Sequence, residues 1–358
     1  MGHNATDREP AAAPTDHSVG LYFFSALEGA TGTEEPEDAA AYRLMLDAAV
    51  SADEVGLDFV WVPERHFTPF GGGHPNPAVI AAALAVRTQR IRIRAGSVVL
   101  PLHDPLRVAE EWAVVDNLSQ GRVEISSATG WNPRDFVLAP DAFAERADRA
   151  RQNLGIIQDL WSGNEISRSG PDGVEYSVRT YPRPVQPSLP HWITAASNPD
   201  TFVYAGEAGA GVLTSYGAFP PERLGELIAA YREAYAAHHE GRGRVAVMAH
   251  TVIGADGAEV RRRSEGPLRT YLAAYLNQQE KQADAAVREK ILDLAVQRYL
   301  RGRSLIGDRT EVLAVMRQMH AAGADEIACL VDFGLPREIV LHTVAELARL
   351  RSDTPQRA

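Results

Sequence analysis

Two stretches carry the strongest structural signal in the chain: Trp61-Val-Pro-Glu-Arg-His-Phe-Thr-Pro-Phe70 and Ile91-Arg-Ile-Arg-Ala-Gly-Ser-Val-Val-Leu-Pro-Leu-His-Asp-Pro105. Each stretch begins as an apolar strand and runs directly into polar residues that can take part in chemistry. Strands that end in such residues are typical of a (β/α)8 barrel, whose active site lies at the C-terminal ends of its strands. If both strand ends lie on one face, the chain is an enzyme.

Short apolar runs alternate with longer segments of helical periodicity along the whole chain, which indicates repeated βα units and a parallel sheet. The predicted strands number eight: 19–25, 58–62, 91–100, 121–127, 192–196, 211–214, 245–253 and 326–331. Asn76-Pro77 and Asp104-Pro105 each place a capping residue before a proline, a pattern that opens helices. The sequence therefore predicts an α/β fold, a (β/α)8 TIM barrel with insertions.

The predicted domain organisation is a single barrel over residues 18–351. It is preceded by a disordered N-terminal tail, 1–17, and followed by a C-terminal tail, 352–358. Two insertions interrupt the barrel: a Gly-, Pro- and Ser-rich stretch at about 164–190, and a polar helical segment at about 259–303. The second is too long for a simple connection and suits a lid.

Composition limits the classes of partner. The formal net charge of -11 disfavours binding to nucleic acids and to anionic membranes, because both require a cationic surface,. No apolar run approaches the length of a membrane-spanning helix. The single cysteine, Cys329, excludes an intrachain disulfide and a cysteine-rich metal site,. We expect a cytoplasmic protein that acts on a small molecule.

Glu64, Arg65 and His66 form the first candidate site, because they follow a strand directly. A histidine titrates near neutral pH and suits acid/base catalysis, with the carboxylate of Glu64 orienting the ring. The same three residues could instead form a hydrogen-bonded plug that closes the barrel. Their position at a strand end favours a function. The second stretch adds Ser97, His103 and Asp104 near another strand end.

Two further segments have both a structural and a functional interpretation. Ser197-Asn198-Pro199-Asp200 follows a predicted strand at a helix N-terminus, which attracts phosphate through unpaired N–H groups and the helix dipole,. Simple helix capping is the alternative. Residues 126–133 combine small side chains with Trp131, which suits a flat aromatic ligand or a tight turn.

Several cofactor motifs are missing from the sequence. No Gly-x-Gly-x-x-Gly opens a helix after a strand, so an integral dinucleotide-binding domain is not predicted. A His-x-His motif after the first strand is also missing, and no convergent set of carboxylates and histidines is visible, so we predict no metal site.

Taken together, the motifs resemble the bacterial luciferase-like flavin monooxygenase family. The resemblance rests on 64–71 (ERHFTPFG), 97–101 (SVVLP) with 104–110 (DPLRVAE), and 118–122 (LSQGR), and it extends over nearly the whole chain. The ERHF segment and 194–199 (TAASNP) are most similar to the branch associated with polyketide and nonribosomal peptide biosynthesis.

The resemblance implies a TIM barrel that binds reduced FMN at the C-terminal strand ends and reacts it with O2. A C4a-hydroperoxyflavin then transfers oxygen to a small or acyl-carrier-tethered substrate of secondary metabolism. A separate NAD(P)H-dependent reductase supplies the reduced FMN, which agrees with the missing dinucleotide motif. The family also implies a homodimer formed through the helices after the second and third strands.

The resemblance also assigns cofactor-binding residues by position. Gly96 and Ser97 would form a non-prolyl cis peptide beneath the flavin ring. Ala128 and Thr129 would line the flavin. The phosphate would be held by Ser197, Asn198 and Thr201.

One departure from the family pattern concerns Arg65, which stands where luciferases carry a histidine assigned as catalytic base. A guanidinium stays charged and does not accept a proton. Arg65 is therefore expected to bind an anionic group of the flavin or of the substrate, and His66 is the remaining proton carrier. The alternative functions are an F420-dependent hydride-transfer oxidoreductase, a noncatalytic flavin-binding protein and a metal-dependent barrel hydrolase.

Overall fold

The computed structural model describes residues 17–24, 37–279 and 284–353. The predicted N-terminal tail, 1–17, lies outside these ranges apart from His17. The last helix ends at Asp353, two residues into the predicted C-terminal tail, and residues 354–358 lie outside the described part.

The strands within the described ranges are β1 (Ser18–Tyr22), β2 (Phe59–Val62), β3 (Arg92–Val99), β4 (Val123–Ala128), β5 (Ile166–Ser169), β6 (Glu175–Val178), β7 (His191–Thr194), β8 (Gly211–Ser215), β9 (Val245–Gly254), β10 (Leu305–Asp308) and β11 (Glu326–Leu330). The helices are α1 (Glu37–Glu54), α2 (Pro77–Arg87), α3 (Pro105–Ser119), α4 (Arg146–Ser162), α5 (Pro199–Glu207), α6 (Pro221–His238), α7 (Gly257–Gln279), α8 (Ala285–Leu300), α9 (Arg309–Ala321) and α10 (Arg337–Asp353).

The central sheet closes on itself. Its strands follow the order β11-β1-β2-β3-β4-β7-β8-β9, and β9 pairs with both β8 and β11. All of these pairings are parallel. The prediction of a (β/α)8 barrel is thus confirmed, and parallel closure puts the C-terminal ends of the strands, where β2 and β3 run into polar residues, on one face.

The two insertions contain more structure than the sequence indicated. Residues 164–190 include the antiparallel hairpin β5–β6, which was missed because its exposed strands carry few apolar side chains in alternation. Residues 259–303 form most of α7 and all of α8. A short strand, β10, then pairs with the second half of the long strand β9, from Leu305 opposite Thr251. Four residues with only two apolar side chains gave no strand signal.

No helix in the described ranges is long and apolar enough to span a bilayer. The capping predictions are confirmed: Asn76 caps α2 and Asp104 caps α3, each through its side-chain oxygen and each followed by proline. Gly56 follows α1 with a positive φ of 82°, the left-handed conformation that glycine adopts readily at a helix end.

A network of buried charges fills one part of the barrel interior. The Arg94 side chain on β3 is fully buried, and its Nε lies 2.9 Å from Glu124 Oε2 on β4. Its Nη1 pairs with Glu326 at the start of β11. Trp192 Nε1 donates to Glu124 Oε2 at 2.6 Å, and Arg244, just before β9, also pairs with Glu326. Arg94 is the third residue of β3, and the other four residues precede their strands or lie in the first two positions. The network therefore lies away from the C-terminal face.

The substitution Glu124→Gln tests this network. It removes the negative charge beside Arg94 and keeps a side-chain oxygen for Trp192. We expect the free energy of unfolding to fall by about 3 to 5 kcal/mol, because a buried charge is left without its partner. Urea unfolding of the protein followed by circular dichroism measures the change.

The control is Glu110→Gln on α3, where a partly exposed carboxylate pairs with Arg107. Such surface ion pairs contribute little to stability. The free energy of unfolding of this variant should therefore equal that of the wild type. Equal stability of both variants would contradict a structural role of the buried network.

Candidate active site

The C-terminal ends of β2 and β3 meet through the carboxylate of Glu64. Its Oε1 accepts from His66 Nε2 at 2.8 Å and from His103 Nε2 at 2.6 Å. Its Oε2 accepts from the backbone N–H of Val99 at 2.7 Å. The sequence placed Glu64 beside His66, and the structure adds His103 to the same carboxylate. The pair of stretches that suggested an enzyme is thus joined by direct hydrogen bonds.

The electrostatics of this cluster favour an ionised Glu64. Burial raises the pKa of Glu64, but the hydrogen bonds from His103 and His66 lower it, and the result lies below the ordinary value. Burial lowers the pKa of His103, while its hydrogen bond to Glu64 and the charge of Glu64 raise it above the ordinary value. Each group therefore stabilises the charged form of the other.

Arg65 lies beside this cluster and is held on several sides. Its Nη1 donates to Asp135 Oδ2 at 3.0 Å, and its Nη2 donates to the side-chain oxygen of Gln278 on α7. The guanidinium also lies over the ring of Trp131, with Cζ 5.0 Å from the ring centre. Burial lowers the pKa of Arg65 and the charge of Asp135 opposes this shift. The ion pair with Asp135 neutralises much of the positive charge of Arg65, which the sequence analysis expected to bind an anionic group.

A chain of hydroxyl groups crosses three strands at the same face. Ser97 at the end of β3 shares a hydrogen bond with Thr194 on β7, and Thr194 Oγ1 lies 2.8 Å from Ser126 Oγ on β4. The sequence reasoning did not select Thr194 or Ser126 as site residues. Inward-pointing positions on adjacent strands of a closed barrel are the signal that could have identified them.

The peptide bond between Gly96 and Ser97 is cis, as the resemblance implies. Tyr22 donates its hydroxyl hydrogen to the carbonyl oxygen of Gly96. A Cβ at position 96 would lie 3.0 Å from the Trp61 ring and 3.2 Å from the Tyr22 ring. A side chain here would crowd both rings, and glycine lets the backbone lie against them.

The other predicted cofactor residues lie at two neighbouring strand ends. Ala128 is the half-buried last residue of β4, and Thr129 follows it in an exposed position. Ser197 and Asn198 are exposed between β7 and α5, with Thr201 half-buried in the first turn. The side-chain oxygen of Asn198 caps α5 by accepting from Asp200 N at 3.0 Å, so capping, the structural interpretation of this segment, is confirmed.

These residues fit a flat, hydrogen-bonding ring with an anionic tail. The hydroxyls of Ser97, Thr194 and Ser126 supply donors and acceptors along one edge, and Ala128 leaves space beside them. At the α5 N-terminus, the Ser197 hydroxyl and the Asn198 amide nitrogen supply neutral donors. The donor set contains no lysine or arginine, so a phosphate there would depend on these groups and on the helix dipole.

Aromatic side chains from the second insertion pack over the same end of the barrel. The ring centre of Phe70 lies 4.8 Å from Tyr271 and 6.0 Å from Tyr275, both on α7. Gln278, one turn beyond Tyr275, bonds both Arg65 and Thr68. Gln278 and Asp135 had no detectable signal in the sequence, because each lies far along the chain from Arg65.

Within the described ranges, no group of three or more His, Cys, Asp or Glu residues is arranged to hold a metal ion.

Three comparisons identify related proteins. The family model described as luciferase-like monooxygenase matches residues 18–326. The oxygenase component of the flavin-dependent trigonelline monooxygenase of Acinetobacter baylyi is 25% identical over 311 residues, which cover 83% of this chain and 85% of that protein. The F420-dependent glucose-6-phosphate dehydrogenase of Amycolatopsis mediterranei is 34% identical over 184 residues, which cover 49% of this chain and 54% of that protein.

Among solved structures, monooxygenase RslO1 from Streptomyces bottropensis superposes with a TM-score of 0.77 at 24% identity, covering 93% of this chain and 98% of that one. At this identity the likeness supports the barrel fold alone. The family match and the barrel fold identify the chain as an oxidoreductase built on a (β/α)8 barrel. The chain belongs to the luciferase-like monooxygenase family, which comprises flavin-dependent monooxygenases and related oxidoreductases.

The raised pKa of His103 predicts how pH affects stability. A group whose pKa is higher in the folded protein stabilises it fully below the unfolded pKa, and this contribution is lost as the pH rises through the folded pKa. The difference in melting temperature between wild type and His103→Gln should therefore be larger near pH 6 than above pH 8. Thermal unfolding followed by circular dichroism across this range measures it.

His238→Gln, an exposed substitution on α6, controls for the loss of an imidazole as such. If the difference in melting temperature between wild type and His103→Gln grew with pH, the raised pKa of His103 would be contradicted.

Proposed function

We propose that this protein is the oxygenase component of a two-component, FMN-dependent monooxygenase. Reduced FMN comes from a separate NAD(P)H-dependent reductase, and the substrate is a small or acyl-carrier-tethered molecule of secondary metabolism. The observation that carries the proposal is the arrangement of the Glu64–His66 pair beside the hydroxyl chain of Ser97, Thr194 and Ser126 at one barrel face. We also propose a cytoplasmic location.

The proposed cofactor residues are those at the ends of β3, β4 and β7. Gly96 and Ser97 would lie against the flavin ring, with Ala128 and Thr129 beside it. The phosphate would be held by Ser197, Asn198 and Thr201. When bound, reduced FMN supplies the electrons and the reaction with O2 from which the oxygen atom is transferred.

The protein groups have separate roles in this proposal. His66 exchanges a proton with the reacting groups, because Arg65 is a permanent cation. Glu64 orients His66 by occupying its Nε2, which leaves Nδ1 for the reacting atoms. Arg65, held by Asp135 and stacked on Trp131, contributes positive charge at a fixed place. The helices α7 and α8 of the second insertion would exclude water from the flavin.

The experiment combines the protein with chemically reduced FMN and O2 and follows the flavin absorbance by stopped flow. A long-lived oxygenated flavin species and oxygen incorporation into an added substrate would support the proposal. The proposal would be contradicted if saturating wild-type protein left the rate of flavin oxidation the same as it is without protein.

Replacement of His66 by glutamine tests the proton carrier. We expect the amount of product formed per reduced flavin to fall by about a hundredfold, which is a typical contribution of general acid–base catalysis. FMN binding should persist, because no proposed cofactor contact is removed. The matched control is His238→Gln on the outer helix α6. Product formation by His66→Gln at the wild-type level would assign the proton transfer to another group.

The second candidate is an F420-dependent oxidoreductase. It is favoured by the identity shared with the F420-dependent dehydrogenase, although that match covers about half of each protein. Titrating the protein with reduced FMN and with F420 in parallel separates the two functions. Preference for F420, with hydride transfer and no oxygen incorporation, would replace the FMN proposal.

We further propose that the protein forms a homodimer through α2 and α3. Val79 and Val86 lie two turns apart on α2 and are 66% and 61% exposed. Val114 and Leu118 on α3 are exposed one turn apart, and the two helices pack side by side. Residues at such spacings share a helix face, so the two pairs form an apolar surface that a second copy would cover.

The substitution Val86→Glu is expected to convert the dimer to a monomer, because it places a charge in a desolvated interface. Light scattering coupled to size-exclusion chromatography measures the mass. Val287→Glu on α8, where the valine is 50% exposed, is the matched control and should keep the mass of the wild type. A monomeric wild-type protein would refute the dimer.

A further inference from the structure

A buried histidine on β9, His250, carries a ring nitrogen that the fold does not use. His250 is 4% exposed, and within the described ranges its Nε2 has no hydrogen-bond partner. The rings of Tyr271, Tyr299 and Phe333 surround it edge-on, with centres 4.9, 5.0 and 5.2 Å from the imidazole. A phenylalanine would fill such an aromatic setting without burying a polar atom. Packing alone therefore does not account for an imidazole at this position.

The strand register directs His250 into the barrel at its C-terminal face. Glu326, at the start of β11, points inward to the buried charge network, and the side chains of a strand alternate between its two faces. Leu330, four residues later, therefore also points inward, and it lies beside His250 on β9 and Tyr22 on β1. The hydroxyl of Tyr22 donates to the carbonyl oxygen of Gly96. His250 thus belongs to the layer of side chains that reaches the cis peptide of the candidate site.

The mouth of the barrel is partly open beside His250. Met248 is the preceding inward residue of β9, and it and its register partner on β8, Ser215, are both half-buried. Tyr299 on α8 is also half-buried, whereas Tyr271 is 6% exposed. Tyr299 is thus the ring beside His250 that a ligand entering from the mouth can displace most easily. Its movement would uncover Nε2.

The chemistry of His250 selects an uncharged partner. Burial lowers the pKa of His250 to about 3, so the imidazole is neutral at neutral pH. Its Nε2 donates to a carbonyl oxygen in one tautomer and accepts from a hydroxyl group in the other. It supplies no positive charge, so a carboxylate among these rings would lose its hydration without compensation. The neutral imidazole and its aromatic surroundings together fit an uncharged aromatic compound that carries an oxygen.

We propose that His250 is a specificity-determining residue that binds an uncharged aromatic substrate through a hydrogen bond between Nε2 and a hydroxyl or carbonyl oxygen. The inference rests on the proposed function and names the substrate class of that same site. The substrate ring takes the place of the Tyr299 ring against His250 and Tyr271. His250 takes no part in proton transfer, which remains with His66.

The first test measures binding of matched probes to the flavin-free protein by equilibrium dialysis. The probes are 2-naphthol, naphthalene, which lacks the hydroxyl group, and 2-naphthoate, which carries a negative charge. The wild type should bind 2-naphthol more tightly than either of the other two. In His250→Phe, the ratio of the dissociation constants of 2-naphthol and naphthalene should rise about tenfold, which corresponds to one hydrogen bond. An unchanged ratio, or a wild type that binds no 2-naphthol, would overturn the inference.

Two further variants separate the hydrogen bond from the shape of the site. His250→Gln keeps a polar group that can donate or accept near the position of Nε2, and it should restore part of the preference for 2-naphthol. The matched control is His191→Gln at the start of β7, where another half-buried histidine has its pKa lowered by burial. This variant should keep the wild-type ratio. Loss of the preference in His191→Gln as well would assign it to something other than His250.

The substitution Tyr299→Ala tests the proposed place of the substrate ring. Removing the ring that competes for this place should strengthen the binding of both 2-naphthol and naphthalene, with the preference for 2-naphthol retained. Unchanged affinities for both probes would refute the displacement of Tyr299. Circular dichroism spectra and melting temperatures establish that each variant is folded.

A third measurement uses the wild-type protein, so it does not depend on the folding of a variant at saturating probe. The protein is labelled with 15N-histidine, and the ring nitrogen signals of His250 are assigned by their loss in His250→Gln. The Nε2 signal should move much further on addition of 2-naphthol than on addition of naphthalene, because only 2-naphthol forms the hydrogen bond. A His250 signal that stays in place while 2-naphthol binds would locate the probe elsewhere and overturn the inference.

The outcomes distinguish this inference from the proposed function. If the wild type forms no product with reduced FMN and O2 but its His250 signal responds to 2-naphthol, the monooxygenase proposal fails and the aromatic site stands. If the wild type forms product but the probes show no dependence on His250, the substrate assignment fails and the monooxygenase proposal stands.

Discussion

The ion pairs of Arg94 join three strands across the interior of the barrel. A fully buried guanidinium is costly unless it is paired, and its two carboxylates, Glu124 and Glu326, come from β4 and β11. These strands lie on either side of β3 in the barrel but are separated by about half the circuit. The pairs can therefore form only when the sheet is closed. The Arg94 guanidinium also lies 4.1 Å from the centre of the Phe59 ring, so aromatic faces shield the charge that the carboxylates balance.

The network fills the end of the barrel away from the candidate site. Its charged groups and the Trp192 indole fill the interior on the side where β4 and β11 begin. Two residues beyond Arg94 along β3, the chain reaches Gly96, where a side chain would meet Trp61 and Tyr22. The interior thus changes along β3 from packed charge to backbone and hydroxyl groups. The candidate site lies at that end, where Glu64 connects β2 to β3.

The sequence predicted the elements and residues that depend on local patterns. It missed the residues and the strand that depend on contacts between distant parts of the chain. Most barrel strands are largely apolar because both of their faces are buried, and the proline-containing helix starts were predicted correctly at Asn76 and Asp104. Glu64 and His66 were predictable because they are adjacent to a strand and to each other. Gln278 was not, since it reaches Arg65 from 213 positions away, and neither pattern nor spacing encodes such a contact. β10 was missed because its pairing depends on the length of β9.

The surroundings of Arg65 restrict what the site can recognise. Had the guanidinium lain unpaired in the mouth, it would attract carboxylates and phosphates strongly, since the arginine fork binds both in bidentate fashion. Here the side chains of Asp135 and Gln278 accept hydrogen bonds from the two terminal nitrogens of Arg65. The ring of Trp131 covers one face of the guanidinium. A substrate anion would have to displace Asp135, whose carboxylate would then be left in a largely buried place. The charge of Arg65 is therefore largely balanced within the protein, and the surface beside it is the Trp131 ring, which is 46% exposed.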